Sequence, residues 1–304
     1  SEYLEGNGVI DNGALAGVDD QDDKFIHATA TSSTEATPYN DVFVTITRDE
    51  IWNPILSRSD FTQKMENLTQ ALAMCLAEYA NFADNTSRRL PWPVITDLSG
   101  NDYRDNTKYQ DDNNASNGYS GRFPFDITNS NDAINAAALT TDTLFDMANC
   151  NSLALAGAGV TADLVNDTEY RKLWNNWKDH FFYILSKGYE PANTGENNCA
   201  GSGACIKVNT AEYAGAVIFS GSRLGGVSRS DKSVVSDYLE DDKGAVFNDE
   251  ANIANQTGDR TYVYTDPQTD TKNDIMYCIQ DKPVDDPSTP SINESEPLTV
   301  IECI

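Results

Sequence analysis

Six cysteines carry the most definite chemistry in this sequence of 304 residues. Their number is even, and neither a C-x-x-C pair nor a histidine-rich stretch accompanies them, which is typical of disulfides rather than of a zinc site. Six cysteines can pair in many ways, and the pairing stays a hypothesis at this point. The hypothesis joins Cys199 to Cys205, Cys278 to Cys303, and Cys75 to Cys150.

The lengths and compositions of the enclosed segments suggest this pairing. The stretch "CAGSGAC" at 199–205 contains only Gly, Ala and Ser between its cysteines, so it can close into a small ring. The second pair would tie the C-terminal segment back across a Pro-rich connector. Loop-closure entropy assigns the three rings about 2.4, 3.5 and 4.5 kcal/mol in the order given above.

Nucleophilic catalysis finds little support among the remaining residues. Cys75 falls in an apolar stripe, where burial would keep its thiol protonated and inert. His180 follows Asp179, but neighbouring residues on a strand point to opposite faces, and the other histidine is His27. No G-x-S-x-G motif is present, since "FSGSRLGG" has Ser and Gly in the wrong order. We therefore expect that the protein is not an enzyme.

A carbohydrate-directed role is the alternative from another class. Forty-eight acidic residues make a pair of carboxylates for glycoside hydrolysis easy to find, so their presence decides nothing. Tryptophans could stack on sugar rings, and they stand at Trp52, Trp92, Trp174 and Trp177. The alternative is therefore a secreted carbohydrate-active enzyme or an adhesive carbohydrate-binding module.

We expect no cofactor, and calcium is the one alternative for which the acidic loops offer ligands. The stretch "TDPQTDTKND" offers Asp266, Asp270 and Asp274 between two predicted strands, and hard cations bind carboxylate oxygens in such loops. A second acidic stretch, "YQDDNNASNGYSG", is no EF-hand, because the sixth place counted from Asp112 is Asn117 rather than Gly. Solvated acidic loops of this kind are commoner than calcium sites.

The net charge argues against two classes of binding partner. Lys and Arg number 21 against 48 Asp and Glu, a net charge of −27. A nucleic acid or an anionic membrane would be repelled by this charge. No apolar run reaches the roughly 18 residues that a membrane span needs. Together with the cysteines, these features predict an extracellular or cell-surface protein.

One long helix is the clearest structural element. Ser59 is the expected N-cap, with Asp60 favourable at the positive helix end. Spacings of three and four residues place one apolar stripe along about six turns. The stripe contains Phe61, Met65, Leu68, Leu72, Cys75, Tyr79 and Phe82. The corner "PWP" then stops the helix, and Trp92 should fold back over its apolar face.

Several predicted strands follow or precede this helix, which makes the fold class α+β. They lie at 41–48, 181–185, 212–221, 260–266, 274–280 and 297–304, with a short helix at 231–240. The long helix should pack on an antiparallel sheet formed by these strands, with large disulfide-stapled loops. We divide the chain into an N-terminal arm at 1–40, a globular domain at 41–280, and a connector with a C-terminal strand at 281–304.

Over residues 40–280 the chain resembles the globular part of type IV pilins and of type II secretion pseudopilins. The resemblance lies in "LAEYAN" and "RRLPWP", then "HFFYILSKGY", "AGAVIFSGSRLGG", "SVVSDYLE" and "DIMYCI". It implies a helix on an antiparallel sheet, a disulfide-stapled loop near the C-terminus, and polymerisation into a filament. The 278–303 pair would stand where pilins often close that loop, and pseudopilins also carry calcium in their loops.

The N-terminus departs from this family. Its members begin with an apolar helix that carries a glutamate five residues in, whereas "SEYLEGNGVI" has Glu5 without an apolar helix, so Glu5 inherits no role. The helix was either trimmed away or belongs to a separate short chain, as in two-part pilins. We expect a structural subunit of a pilus-like filament whose partners are copies of itself and such a helical chain.

Overall fold

A computed structural model of the chain divides into two units, Ser1–Trp52 and Asn53–Ile304. The structure describes residues 51, 54–55, 58–82, 85–98, 103–112, 119–127, 153–154, 161–162, 168–191, 199, 205–221, 232–239, 261–262, 274–281 and 297–303. All but the first of these belong to the second unit. The predicted arm at 1–40 and strand at 41–48 lie outside the described residues, and the domain boundaries stay a prediction.

The long helix is α1, Ser59–Ala80. Five residues of the predicted stripe, from Met65 to Tyr79, are fully buried, whereas Phe61 and Phe82 at its two ends are half-buried. The burial is wider than the stripe, because several alanines and Leu76 beside it are buried too. The expected N-cap is wrong by one residue. Arg58 occupies that position, makes no side-chain cap bond, and pairs with Asp60 at 2.6 Å.

The chain turns back sharply after α1. The Asn85 amide donates to the carbonyls of Tyr79 and Arg89 and accepts from the Arg89 N–H, so all its bonds are local. This corner directs the "PWP" stretch back along the domain. Trp92 is only 4% exposed and belongs to the same core as α1, as the sequence predicts.

One further helix and ten strands are described. They are β1 Ser120–Arg122, β2 Leu153–Ala154, β3 Thr161–Ala162, α2 Thr168–Trp177, β4 Phe181–Leu185, β5 Ile206–Val208, β6 Ala211–Tyr213, β7 Gly215–Phe219, β8 Thr261–Tyr262, β9 Ile275–Gln280 and β10 Thr299–Glu302. The main sheet has the order β1–β4–β7–β9–β10, and every neighbouring pair in it is antiparallel. The predicted fold class, a helix on an antiparallel sheet, is confirmed.

The main sheet is buried on both faces. Phe181, Tyr183 and Leu185 of β4 belong to the core that contains α1. The alternate residues Phe182 and Ile184 belong to a second core. Side chains from β5, β6 and the 3₁₀ turn Val235–Asp237 complete that second core. Burial on both faces explains why β4 and β7 read as continuous apolar runs rather than as alternating ones.

Two elements differ from their sequence expectations. The predicted short helix at 231–240 forms only the 3₁₀ turn Val235–Asp237. The residues before β4, for which no element is predicted above, form α2 and place Trp174 against the rings of Phe123 and Phe181 at 5.6 and 5.8 Å. Local propensity favoured neither outcome, so packing decides both.

Candidate functional site

Two of the three hypothesised disulfides are present. Cys199 bonds to Cys205, with Cα atoms 5.2 Å apart, and Cys278 bonds to Cys303, with Cα atoms 5.1 Å apart. The second bond links β9 to the residue after β10. Cys205, Cys278 and Cys303 are buried, so both bonds are part of the packed interior. These bonds indicate an oxidising, non-cytoplasmic environment.

The third hypothesised pair is not formed. Cys75 is a free cysteine that is fully buried in the middle of α1, while Cys150 lies outside the described residues. The prediction was wrong because it assumed that all six cysteines pair when their number is even. In an apolar core a free cysteine acts as a small hydrophobic side chain.

Only one of the three predicted calcium ligands is described. The Asp274 carboxylate, just before β9, accepts a bond from the Gly221 N–H at 3.3 Å. Asp266 and Asp270 lie outside the described residues. Within the part of the chain that the structure covers, no three His, Cys, Asp or Glu side chains are arranged to hold a metal ion. The calcium site stays a prediction.

A buried arginine is the most unusual polar residue of the described structure. Arg122 on β1 is fully buried, and each of its nitrogens donates to a backbone carbonyl of a different segment. The Nε atom donates to Thr96 at 2.8 Å, Nη1 donates to Asp179, and Nη2 donates to Lys232. The guanidinium therefore joins three stretches of chain that are far apart in sequence.

Aromatic rings and one carboxylate surround this guanidinium. Its carbon lies 5.3 to 5.5 Å from the ring centres of Tyr103, Phe182 and Tyr238. We call these residues, with Arg122, Asp179 and Lys232, the Arg122 cluster. Contacts of this kind stabilise a desolvated cation. Because each of its nitrogens donates to a carbonyl of the protein itself, the arrangement suits a structural clamp.

Asp179 balances the positive charge in the Arg122 cluster. Its carboxylate pairs with the Lys232 ammonium at 2.6 Å, and its side chain is 10% exposed. Burial by itself would raise the pKa of Asp179, but His180, Lys232 and Arg122 outweigh it and hold the pKa below its ordinary value. The charged form of the carboxylate is therefore the one that stabilises the folded protein.

Among the described residues, His180 and Ser220 are the nearest approach to a catalytic pair. His180 Nδ1 lies 3.2 Å from Ser220 Oγ, and the Ser220 N–H donates to the His180 carbonyl at 2.9 Å. The sequence analysis treated His180 as part of a strand, but the residue ends the 3₁₀ turn Lys178–His180. Ser220 is fully buried, so a substrate has no access to its hydroxyl. The pair continues the contact between β4 and β7.

The three described tryptophans do not form a shared exposed surface. Trp92 and Trp174 are buried in the main core, at 4% and 2% exposure. Trp177 is half-buried and packs against Phe61, His180 and Phe219 with ring centres 5.0 to 6.4 Å apart. Trp52 lies outside the described residues. Among the described tryptophans, these positions fit core packing better than sugar stacking.

Sequence reasoning missed the Arg122 cluster. The one available signal was the position of Arg122 in "SGRFPF", a charged residue directly before an apolar stretch. That signal is weak, because an arginine at a strand end usually reaches solvent.

No helix among the described residues is long and apolar enough to cross a membrane. Comparisons with protein families, with curated proteins and with solved structures find no match for this chain.

Proposed function

We propose that this chain is a structural subunit of an extracellular pilus-like filament that assembles with copies of itself. One observation carries the proposal. The helix α1 lies along one face of an antiparallel sheet, and a disulfide joins the last strands of that sheet. The resemblance to pilins and pseudopilins implies the same combination of helix, sheet and C-terminal disulfide.

The two disulfides support export of the chain. Disulfides form and persist in oxidising compartments outside the cytoplasm, where they stabilise the folded protein. The Cys278–Cys303 bond spans 25 positions of sequence and crosses the Pro-rich connector, so it fixes β10 against β9. Such bracing suits a subunit that must stay folded outside the cell.

The net charge of the chain supports the proposal that finished fibres do not adhere to one another. The net charge of −27 already includes the positive charges of the buried residues Arg89, Arg122 and Lys178. A net charge of −27 then gives finished fibres like-charged surfaces that repel at short range.

A short separate helical chain would be the second partner, if the N-terminal helix of the family is supplied by another polypeptide.

Calcium remains part of the proposal as a ligand of the 266–274 loop. Bound calcium would offset some of the negative charge of Asp266, Asp270 and Asp274. Titration calorimetry on EDTA-treated protein tests this, and we expect heat of binding that the Asp270→Asn variant loses. Absence of binding heat in the unaltered protein would remove calcium and leave the filament proposal in place.

Electron microscopy of material sheared from the native source tests the filament directly. We expect ordered fibres that an antibody against this chain labels along their length. Detection of the chain only as dispersed single subunits, with unlabelled fibres beside it, would contradict the proposal. A hydrolysis panel and a glycan array on the purified chain should be negative. Turnover abolished by one Asp or Glu substitution would favour the carbohydrate-directed alternative.

A further inference from the structure

Two glycosylation sequons lie inside the folded protein. The triplet Asn-X-Ser/Thr occurs six times in the sequence, and in an exported protein it normally marks a surface loop. Two of its asparagines, Asn67 and Asn85, are only 8% and 2% exposed. The other four lie outside the described residues, at Asn114, Asn166, Asn255 and Asn293. Asn67 and Asn85 therefore lack the surface position that this modification needs.

Asn-linked glycosylation acts on the side-chain nitrogen of the asparagine. The reaction forms a bond between Nδ2 and the anomeric carbon of a sugar carried on a lipid diphosphate. It breaks the bond from that carbon to the phosphate oxygen and releases one amide proton. The product carries a bulky, solvated group on a nitrogen that keeps a single hydrogen. An asparagine that donates both amide hydrogens within the protein must therefore lose a bond when it is modified.

Asn85 uses both amide hydrogens to close the corner after α1. Its Nδ2 donates to the carbonyls of Tyr79 and Arg89 at 3.0 and 2.7 Å, and its Oδ1 accepts from the Arg89 N–H at 2.8 Å. A glycan on Nδ2 would leave at least one of these carbonyls without its donor. It would also need space beside a residue that is only 2% exposed. A glycan on Asn85 is therefore incompatible with this corner.

The helix α1 covers the sequon at Asn67. The Asn67 Oδ1 atom accepts from Gln63 Nε2 at 3.3 Å, one turn earlier. The third residue of the sequon, Thr69, is fully buried, and its hydroxyl donates to the Met65 carbonyl at 2.6 Å. An enzyme that recognises both the asparagine and the hydroxyl residue of the triplet therefore finds neither exposed while α1 is formed.

We propose that folding protects Asn67 and Asn85 from Asn-linked glycosylation, and that a glycan on Asn85 prevents the corner at 85–89 from folding. Folding and glycan transfer compete for the same nitrogen, so the chain must fold before it meets a glycosylating enzyme. This inference goes beyond the proposed function and does not depend on it, because it concerns a single chain. The experiments below use the isolated protein, so their failure would leave the filament proposal untouched.

Glycan transfer to the folded and the unfolded chain tests the protection. The protein with its disulfides intact and the reduced, carboxymethylated chain are each treated with an oligosaccharyltransferase and a lipid-linked oligosaccharide. A charged carboxymethyl group on Cys75, a core residue, keeps the second chain unfolded. Glycopeptide mass analysis should find Asn67 and Asn85 at least about tenfold less occupied in the folded chain, because transfer there requires local unfolding.

Equal occupancy of the two forms would overturn the proposal. Absence of glycan at both sites in the unfolded chain would overturn it too, because the local sequence rather than burial would then block transfer. Ala211→Thr supplies a reporter, since it completes a sequon that begins at Asn209 in the turn between β5 and β6, beside the exposed Thr210. We expect the folded variant to be modified at Asn209. Transfer to Asn85 as fast as transfer to Asn209 would contradict protection by the fold.

Refolding tests the effect of a glycan on Asn85. Two chains are compared, both with Asn67→Gln to remove the other buried sequon, and one of them also with Ser87→Ala. Ser87 is exposed, so its loss removes the sequon of Asn85 and should leave the fold intact. Without glycan, both chains should regain the native circular dichroism spectrum and both disulfides on oxidation.

After treatment of the reduced chains with the transferase, the two should differ. We expect molecules that carry a glycan on Asn85 to remain unfolded, whereas the Ser87→Ala chain should refold as it does without treatment. Recovery of the native spectrum by molecules glycosylated on Asn85 would overturn the proposal.

Discussion

Asn81, at the end of α1, holds Leu298, at the start of β10, through two hydrogen bonds. Asn81 Nδ2 donates to the Leu298 carbonyl at 2.9 Å, and the Leu298 N–H donates to Asn81 Oδ1 at 2.8 Å. The two residues are 217 positions apart in sequence. This pair is therefore the point at which the helix fixes the C-terminal strand.

Asn81→Ala should destabilise the protein by about 1–3 kcal/mol, because two partly buried backbone groups lose their partner. Asn81→Asp should not restore the lost stability, because it keeps an acceptor for the Leu298 N–H but sets its second carboxylate oxygen against the Leu298 carbonyl. Urea unfolding measures both changes. Asn176→Ala, on the exposed side of α2, is the matched control and should stay within about 0.5 kcal/mol. Equal effects of the Asn81 and Asn176 substitutions would contradict the role of Asn81.

Arg122→Lys should destabilise the protein strongly even though it keeps the positive charge. A lysine ammonium cannot reach three carbonyls on separate segments in the plane that the guanidinium occupies. Breaking a buried charged site of this kind costs about 3–5 kcal/mol, which guanidinium unfolding would detect. Lys172→Met, an exposed positive residue on α2, provides the comparison and should change stability little. A mild effect of Arg122→Lys would show that charge alone matters there.

Cys303→Ser should lower the free energy of unfolding by about 3 kcal/mol, since it releases the loop closed with Cys278. Cys205→Ser opens a much shorter loop and should cost less, at about 2 kcal/mol. Thermal unfolding without reductant compares the two variants. The reverse order of stabilities would contradict loop closure as the main contribution and would point to packing of the sulfur atoms instead.

Cys75 should behave as a thiol that reacts only when the protein unfolds. It is fully buried on α1, so iodoacetamide should not modify it in the native state. The same reagent in guanidinium, without reductant, should alkylate it, and peptide mass analysis will show the modified residue. A disulfide-linked peptide containing Cys75 and Cys150 would contradict this expectation and restore the third pair.

Stability should decrease as the pH falls below the ordinary carboxyl range. The pKa of Asp179 is lower in the folded protein than in the unfolded chain, so the unfolded chain takes up the proton first. Its contribution is present above the unfolded pKa of about 4 and is lost as the pH falls through the folded pKa. Asp179→Asn should be less stable at neutral pH and should lose less stability on acidification. An identical acid profile for both proteins would exclude Asp179 as a source of this dependence.

Alkaline pH should also weaken the fold. Burial, together with Glu302 and Glu66, raises the pKa of Tyr277 to about 12. The unfolded chain therefore loses this proton first, near pH 10, and stability falls as the pH rises from that value toward the folded pKa. Tyr277→Phe should flatten this decline, which equilibrium unfolding between pH 8 and pH 11 would reveal as a smaller slope. An unchanged slope would assign the decline to the other buried tyrosines.

Local patterns were sufficient for the elements that depend on neighbouring residues. Spacings of three and four residues placed α1 within one residue of its observed start, because a helix brings such residues to one face. The near-continuous apolar run "EYAGAVIFSG" at 212–221 predicted one central strand, because a strand covered on both faces contains no polar alternation. Its middle part forms β7, whereas its first residues belong to β6. The Cys199–Cys205 and Cys278–Cys303 disulfides were predicted from the composition and length of the segments that they close.

Tertiary structure decided which distant groups meet. Arg122 is buried because carbonyls at Thr96, Asp179 and Lys232 converge on it, and no window of sequence contains all four residues. Cys75 stays free because its place on α1 turns it into an apolar core. The amphipathic periodicity of α1 could predict a buried face but not what lies against it, since packing partners are set by the whole chain. The residues alone thus determined the helix, the central strands and two disulfides that indicate an oxidising environment, and only the assembled fold determined the buried clamp.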